Sequence, residues 1–121
     1  MRYSAFVLEH VRNPRNAGEL QNANASCRVR SSADGDMLQL QLRIEDGRIQ
    51  EARFKVFGCG AAIATGSILT EMMIGKTVEE VQAITNVQLS DAMGGLPPEK
   101  IHCSVLAEQA IRAALDNHKK K

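Results

Sequence analysis

Between Leu38 and Ile44 apolar and polar residues alternate without a break: Leu38, Leu40, Leu42 and Ile44 are interleaved with Gln39, Gln41 and Arg43. A period of two places the aliphatic set on one face of a strand, where it must be covered. Glu45-Asp46-Gly47 follows, with Asp-Gly as a strong hairpin signal, and Ile49 to Phe57 returns with Ala52, Phe54 and Val56 facing one way. A chain with this segment is committed to an antiparallel sheet with one buried face. An additional strand is expected around Ser26 to Ser31.

After the sheet the spacing becomes helical. Ala61, Ala64, Ile68 and Met72 form a stripe that Ile63, Leu69 and Met73 widen, until Gly75 ends it. Thr77 with Glu80 reads as a capping box for a short helix holding Val78, Val81 and Ile84, and a further short segment runs from Val87 to Met93. Pro97-Pro98 opens a last helix whose inner face is marked by Ile101, Val105, Ala110 or Ile111, and Leu115. At the other end Ser4 caps a helix with Phe6, Val7 and Val11 on one side, closed at Asn13-Pro14. The expected fold class is α+β: a small three-stranded antiparallel sheet packed against about four to five helices, forming one domain over residues 1–121.

Composition removes several function classes. The formal net charge is +1 and aromatic residues are only 3% of the chain, so no basic footprint for nucleic acid is visible and little is left for base stacking. The longest uncharged stretch, Val56 to Thr70, contains glycines and falls short of the roughly 20 apolar residues that span a bilayer. Charges at Arg2, Glu9 and Arg12 interrupt any signal-peptide pattern, so a cytoplasmic protein is expected. The three cysteines, Cys27, Cys59 and Cys103, show no disulfide framework and are expected to be reduced.

Cys59 lies in Phe57-Gly58-Cys59-Gly60, where a buried strand hands over to an apolar helix. The flanking glycines leave room for a bulky inorganic ligand or a partner chain, and a helix N-terminus favours thiolate. By itself this is equally a small cysteine in a tight turn. His102-Cys103 at the start of the last helix can share one centre only if it lies between their two directions, since neighbours diverge by about 100°. Asp34-Gly35-Asp36 before the strand has the composition of a solvated turn. Together, Asp34 or Asp36, Cys59, His102 and Cys103 supply a carboxylate, two sulfurs and an imidazole, enough for a four-coordinate zinc or an iron–sulfur unit. Cys27 stands apart from this set as a free thiol.

Four stretches carry a family resemblance: Tyr3-Ser4, His10 through Gly18, Ala52 through Gly60, and Leu96 through Ser104. In order, and over nearly the whole chain, they resemble the IscU/NifU-type scaffolds of iron–sulfur cluster assembly. The resemblance implies a scaffold, not an enzyme, that builds a cluster, with 2Fe–2S as the expected cargo and zinc as a competing occupant. Sulfur would come from a cysteine desulfurase, and the cluster would pass to recipient apoproteins. Cys59 falls on the family's second cysteine, His102 on its histidine, Cys103 on the usual persulfide acceptor and Asp36 on the aspartate of Cys-Gly-Asp. The segment Leu96, Pro97, Pro98, Glu99 and Lys100 falls on the docking site of a chaperone pair. The first family cysteine is replaced by Asp34, which exchanges a soft donor for a hard one. That departure motivates an alternative, a zinc- or iron-binding regulatory relative that does not assemble clusters.

Overall fold

The Asp46-Gly47 turn sets the sheet. Both residues have positive φ, 54° and 73°, the backbone of a type I′ turn, whose twist matches that of paired strands. It joins β2 (Met37–Glu45) to β3 (Arg48–Phe57), and β1 (Ala25–Arg30) pairs antiparallel with the other edge of β2, giving the order β1-β2-β3. The computed structural model describes residues 4–31, 35–58, 60–95 and 101–119. Helix α1 (Ala5–Arg12) precedes the sheet, and α2 (Gly60–Met73), α3 (Val78–Gln82), α4 (Asn86–Ala92) and α5 (Ile101–Lys119) follow it. This is the expected α+β arrangement, with five helices among the described residues.

The β2–β3 pairing contains one irregularity. Glu45 faces Arg48 and Ile44 faces Ile49, but Arg43 faces Glu51, so Gln50 is an extra residue in β3. The bulge lets Ile49 and Ala52, both 0% exposed, point into the same core although an odd number of positions separates them. It also advances β3 by one residue relative to β2 from there to Phe57.

Leu38, Leu40, Leu42 and Ile44 are all buried in one cluster, with α5 packed on β1 and β2 and α2 on β3. The inner face of α5 differs from expectation. Ile101 and Val105 are exposed, whereas Cys103, Ser104, Leu106, Ala107, Ala110, Ile111, Ala114 and Leu115 are buried. Small residues at 107, 110 and 114 let the helix lie close on β1 and β2, and that approach outweighs the burial of two larger side chains. In α2 the expected Ile63 and Met72 are only half-buried, while Thr65, Ser67 and Thr70 are buried. Thr65 and Thr70 return their hydroxyls to the backbone carbonyls of Ala61 and Gly66 at 2.6 and 3.0 Å, which satisfies them internally. Both short helices carry capping boxes, Thr77 with Glu80 and Thr85 with Gln88. The proposed Pro97-Pro98 start of the last helix lies outside the described residues.

Helix α1 is rotated from its expected setting: Phe6 is exposed, and His10 takes an inner position beside Val7. The His10 Nδ1 lies 2.6 Å from Ser67 Oγ, which also accepts the backbone N–H of Arg15 at 2.8 Å. Burial, aided by the charge of Arg15, holds the His10 pKa below its ordinary 6.5 against the opposing pull of Glu71 and Glu9. An unfolded chain therefore takes up a proton that the folded one resists. The stabilisation is fully present above pH 6.5 and is lost as pH falls through that value toward the lowered folded pKa, with a slope of at most about 1.4 kcal/mol per pH unit. Thermal unfolding between pH 7.5 and 5.5 should show a steeper acid loss in the wild type than in His10→Gln; parallel curves would exclude His10 as the source.

Candidate metal centre

The β1–β2 connection ends at Asp36, one residue before β2 begins. Ser31 and Asp36 close it, the backbone N–H of Ser31 donating to the Asp36 carbonyl at 2.7 Å. Gly35 just before it has φ 71°, a left-handed conformation that suits glycine. The Asp36 carboxylate is thereby placed at the rim of the sheet beside the first turn of α5, and it is 9% exposed.

His102 and Cys103 approach from α5. His102 Nε2 lies 3.3 Å from Asp36 Oδ2 and 3.5 Å from Cys103 Sγ. One nitrogen thus faces both the oxygen and the sulfur, and the three donor atoms lie within 4.8 Å of one another. This resolves the question of direction raised by two adjacent helical residues: the shared point lies on the Asp36 side of the helix start. Donors at about 2.0–2.3 Å from a tetrahedral zinc are separated by roughly 3.3–3.8 Å, so the two closest separations already suit a small divalent ion. Without one, a neutral His102 can donate its Nε2–H to the carboxylate.

Cys103 is 2% exposed and packs against Ala61 and Ala62 in the first turn of α2, with Val56 beside them. Just after β3, Gly58 comes up against Asp36 from the other side: a Cβ there would lie 2.7 Å from Asp36 Cγ. Three separate parts of the chain therefore meet at one point, the loop at Asp36, the β3–α2 junction and the start of α5. Of the site residues expected from sequence, Asp36, His102 and Cys103 are brought together; Asp34, Cys59 and the Leu96–Lys100 segment lie outside the described residues.

Cys27 is elsewhere. It sits on β1 against α5, donating its thiol to the Ala110 carbonyl at 3.2 Å, and burial pushes its pKa up to about 11. Ala110 is about 10 Å along the helix axis from Cys103 by the 1.5 Å rise per residue. Cys27 is thus a packed thiol with little thiolate near neutral pH, unsuited to attack or ligation. The closeness of Gly58 to Asp36 has no local signature in the sequence. Its signal is the hairpin register, which is readable only once the bulge is known.

A carboxylate, an imidazole and a thiol gathered from distant segments at the rim of a three-stranded sheet place the chain in the class of small α+β domains with a mixed oxygen, nitrogen and sulfur donor cluster. Among the described residues no helix is long and apolar enough to cross a membrane. The family described as NifU-like N terminal domain matches residues 2–121, and the chain belongs to it. It is 46% identical over 125 residues to the iron–sulfur cluster assembly scaffold protein IscU of Haemophilus influenzae, covering 100% of this chain and 98% of that one. Identity to the protein of the same name from Escherichia coli K12 is also 46%, covering 100% and 97%. The crystal structure of a NifU-like protein (N-terminal) from Brucella abortus shares the fold with a TM-score of 0.79 at 20% identity, covering 98% of this chain and 94% of that one.

Proposed function

We propose that this chain is an iron–sulfur cluster assembly scaffold, the role named for its 46% identical relatives. The observation that carries the reading is the orientation of His102 Nε2 toward both Asp36 Oδ2 and Cys103 Sγ. Such a point accepts an iron ion through oxygen and nitrogen while holding a sulfur-bearing thiol beside it. In this reading Cys103 is the persulfide acceptor. Its thiolate attacks the outer sulfur of a persulfide on a cysteine desulfurase, the sulfur–sulfur bond there breaks, and the donor cysteine leaves as thiolate. The chain acts stoichiometrically, as a carrier and not an enzyme.

Cys59 is proposed as the next ligand. Its sequence neighbours support this, since Gly58 abuts Asp36 while Ala61 packs on Cys103. Asp34 is proposed as a further oxygen donor in place of the first family cysteine, and Leu96–Lys100 as the chaperone contact. The cargo is taken to be a 2Fe–2S cluster destined for recipient apoproteins, assembled in the cytoplasm, where thiols stay reduced. Residues 1–121 are read as a single scaffold domain.

The second reading is a zinc- or iron-binding regulatory relative, favoured by the oxygen-rich donor set that Asp34 and Asp36 would create. Anaerobic reconstitution with ferrous iron, cysteine and a desulfurase separates the two. A scaffold develops visible absorbance with matching acid-labile sulfide. A colourless product that retains stoichiometric zinc would overturn the scaffold reading in favour of the regulatory one.

A further inference from the structure

Gly58 directly follows β3 and lies against Asp36, the residue directly before β2. Met37 faces Phe57 in the last pair of the ladder, and just beyond that pair Gly58 and the Asp36 side chain come together. Side chains that meet at the end of a hairpin ladder compete for the same space. Here all of that space belongs to the carboxylate. A Cβ at position 58 would lie 2.7 Å from Asp36 Cγ, 2.8 Å from Oδ1 and 3.1 Å from Oδ2.

The glycine is not there for its backbone freedom, because Gly58 is not among the glycines of positive φ, which are Gly18, Gly35, Gly47, Gly75, Gly94 and Gly95. What it supplies is the missing side chain. The atoms in the way are the end of one side chain, so alanine can be accommodated if the carboxylate retreats by about 0.7 Å, to the 3.4 Å where ordinary contact begins. Productive ligand geometry tolerates about 0.5 Å. The retreat therefore leaves the fold in place while taking Asp36 out of reach of the point it shares with His102 and Cys103.

We propose that Gly58 is a positioning residue for the metal centre, holding open the slot that seats the Asp36 carboxylate against His102 Nε2. The inference rests on the reading of Asp36, His102 and Cys103 as a metal site. It assigns Gly58 a task distinct from making room around the neighbouring cysteine.

The test is a double-mutant cycle on the full chain, with zinc alone as the probe in competition with a chromophoric chelator and cobalt as its spectroscopic substitute. Gly58→Ala should weaken zinc binding about 10–100-fold, the range seen when a ligand loses its supporting partner, and Asp36→Ala should do the same. Adding Gly58→Ala to Asp36→Ala should cost less than about 2-fold more, since the two act through one carboxylate. The cobalt ligand-field bands of Gly58→Ala should match those of Asp36→Ala, with the thiolate charge-transfer band retained. Wild-type affinity in Gly58→Ala, or losses that multiply in the double variant, would overturn the proposal. A wild type without zinc affinity counts against the metal-site reading. The His102 ring ¹⁵N shifts of the metal-free protein then decide on Gly58: they support it by moving to the Asp36→Ala values, and refute it by staying put. If Gly58→Ala does not fold, restored folding in the double variant supports the steric account, and a double variant that stays unfolded refutes it.

Discussion

Cys103→Ser is expected to abolish sulfur acceptance while leaving a folded domain. The substitution changes little volume at a position packed against Ala61 and Ala62, and burying the hydroxyl costs about 1–3 kcal/mol if it finds no partner. The chemistry, in contrast, is lost completely, because an alcohol neither ionises near neutral pH nor forms a persulfide. After incubation with a desulfurase and cysteine, intact mass should show one added sulfur on the wild type and none on the variant. Peptide mapping should place that sulfur on Cys103. Sulfur on Cys27 would refute this assignment and the account of Cys27 as a packed thiol with its pKa near 11. Because Cys103 is 2% exposed, delivery also requires local opening of the chain around it, so transfer from a docked desulfurase should outpace labelling by a small electrophile.

The largest effect on stability is expected from Gly66→Ala. Gly66 lies in the middle of α2, where a Cβ would come within 2.4–2.9 Å of the Phe54 ring. Phe54 is 3% exposed and belongs to the main core cluster, where a rigid ring has less freedom to move than the far end of a flexible exposed side chain. Overpacking of this kind costs about 1–3 kcal/mol and occasionally more. Against a total of about 5–15 kcal/mol, a loss near 3 kcal/mol should lower Tm by about 10 °C. Phe54→Leu introduced with Gly66→Ala should recover part of it, which separates the clash from any general weakness of the helix. A Tm within a degree of the wild type would mean that α2 can lift off β3 without penalty. Displacement of α2 also moves Ala61 and Ala62, which pack on Cys103, so zinc affinity of Gly66→Ala should fall.

Much of the fold is legible in local patterns because local physics dictates it. The Leu38–Ile44 alternation, the Asp46-Gly47 turn and the Thr77–Glu80 capping box each need only a few neighbouring residues, and each forms as read. Features set by long-range packing are less visible. Ile101 and Val105 are apolar at helical spacing yet stay exposed, because the small residues of α5 decide which side approaches the sheet. Likewise His10 displaces Phe6 from the inner side of α1 because Ser67 offers it a buried partner. In the site, the residue types at 36, 102 and 103 reveal their chemistry, but only the resemblance ties them to one point. The role of Gly58 is hidden further still. Counting back from the turn in a regular hairpin sets Val56 across from Met37; the extra residue at Gln50 sets Phe57 there instead, and Gly58 just beyond it then meets Asp36.

The donors at Asp36, His102 and Cys103 meet only when the rim of the sheet and the start of α5 are docked together. The rim at Asp36 offers one donor and the start of α5 two neighbouring ones, so the unfolded chain, in which the two segments are apart, holds an ion less well than the folded chain in which all three donors converge. Occupancy and folding then draw on the same free energy. An ion present at 100 times its dissociation constant would add about 2.7 kcal/mol to the stability of the domain, and releasing it would return that amount. A carrier built this way reports its load in its own stiffness. The empty form is the softer one, and any partner that recognises slackness at this rim can tell a spent carrier from a charged one without touching the cargo.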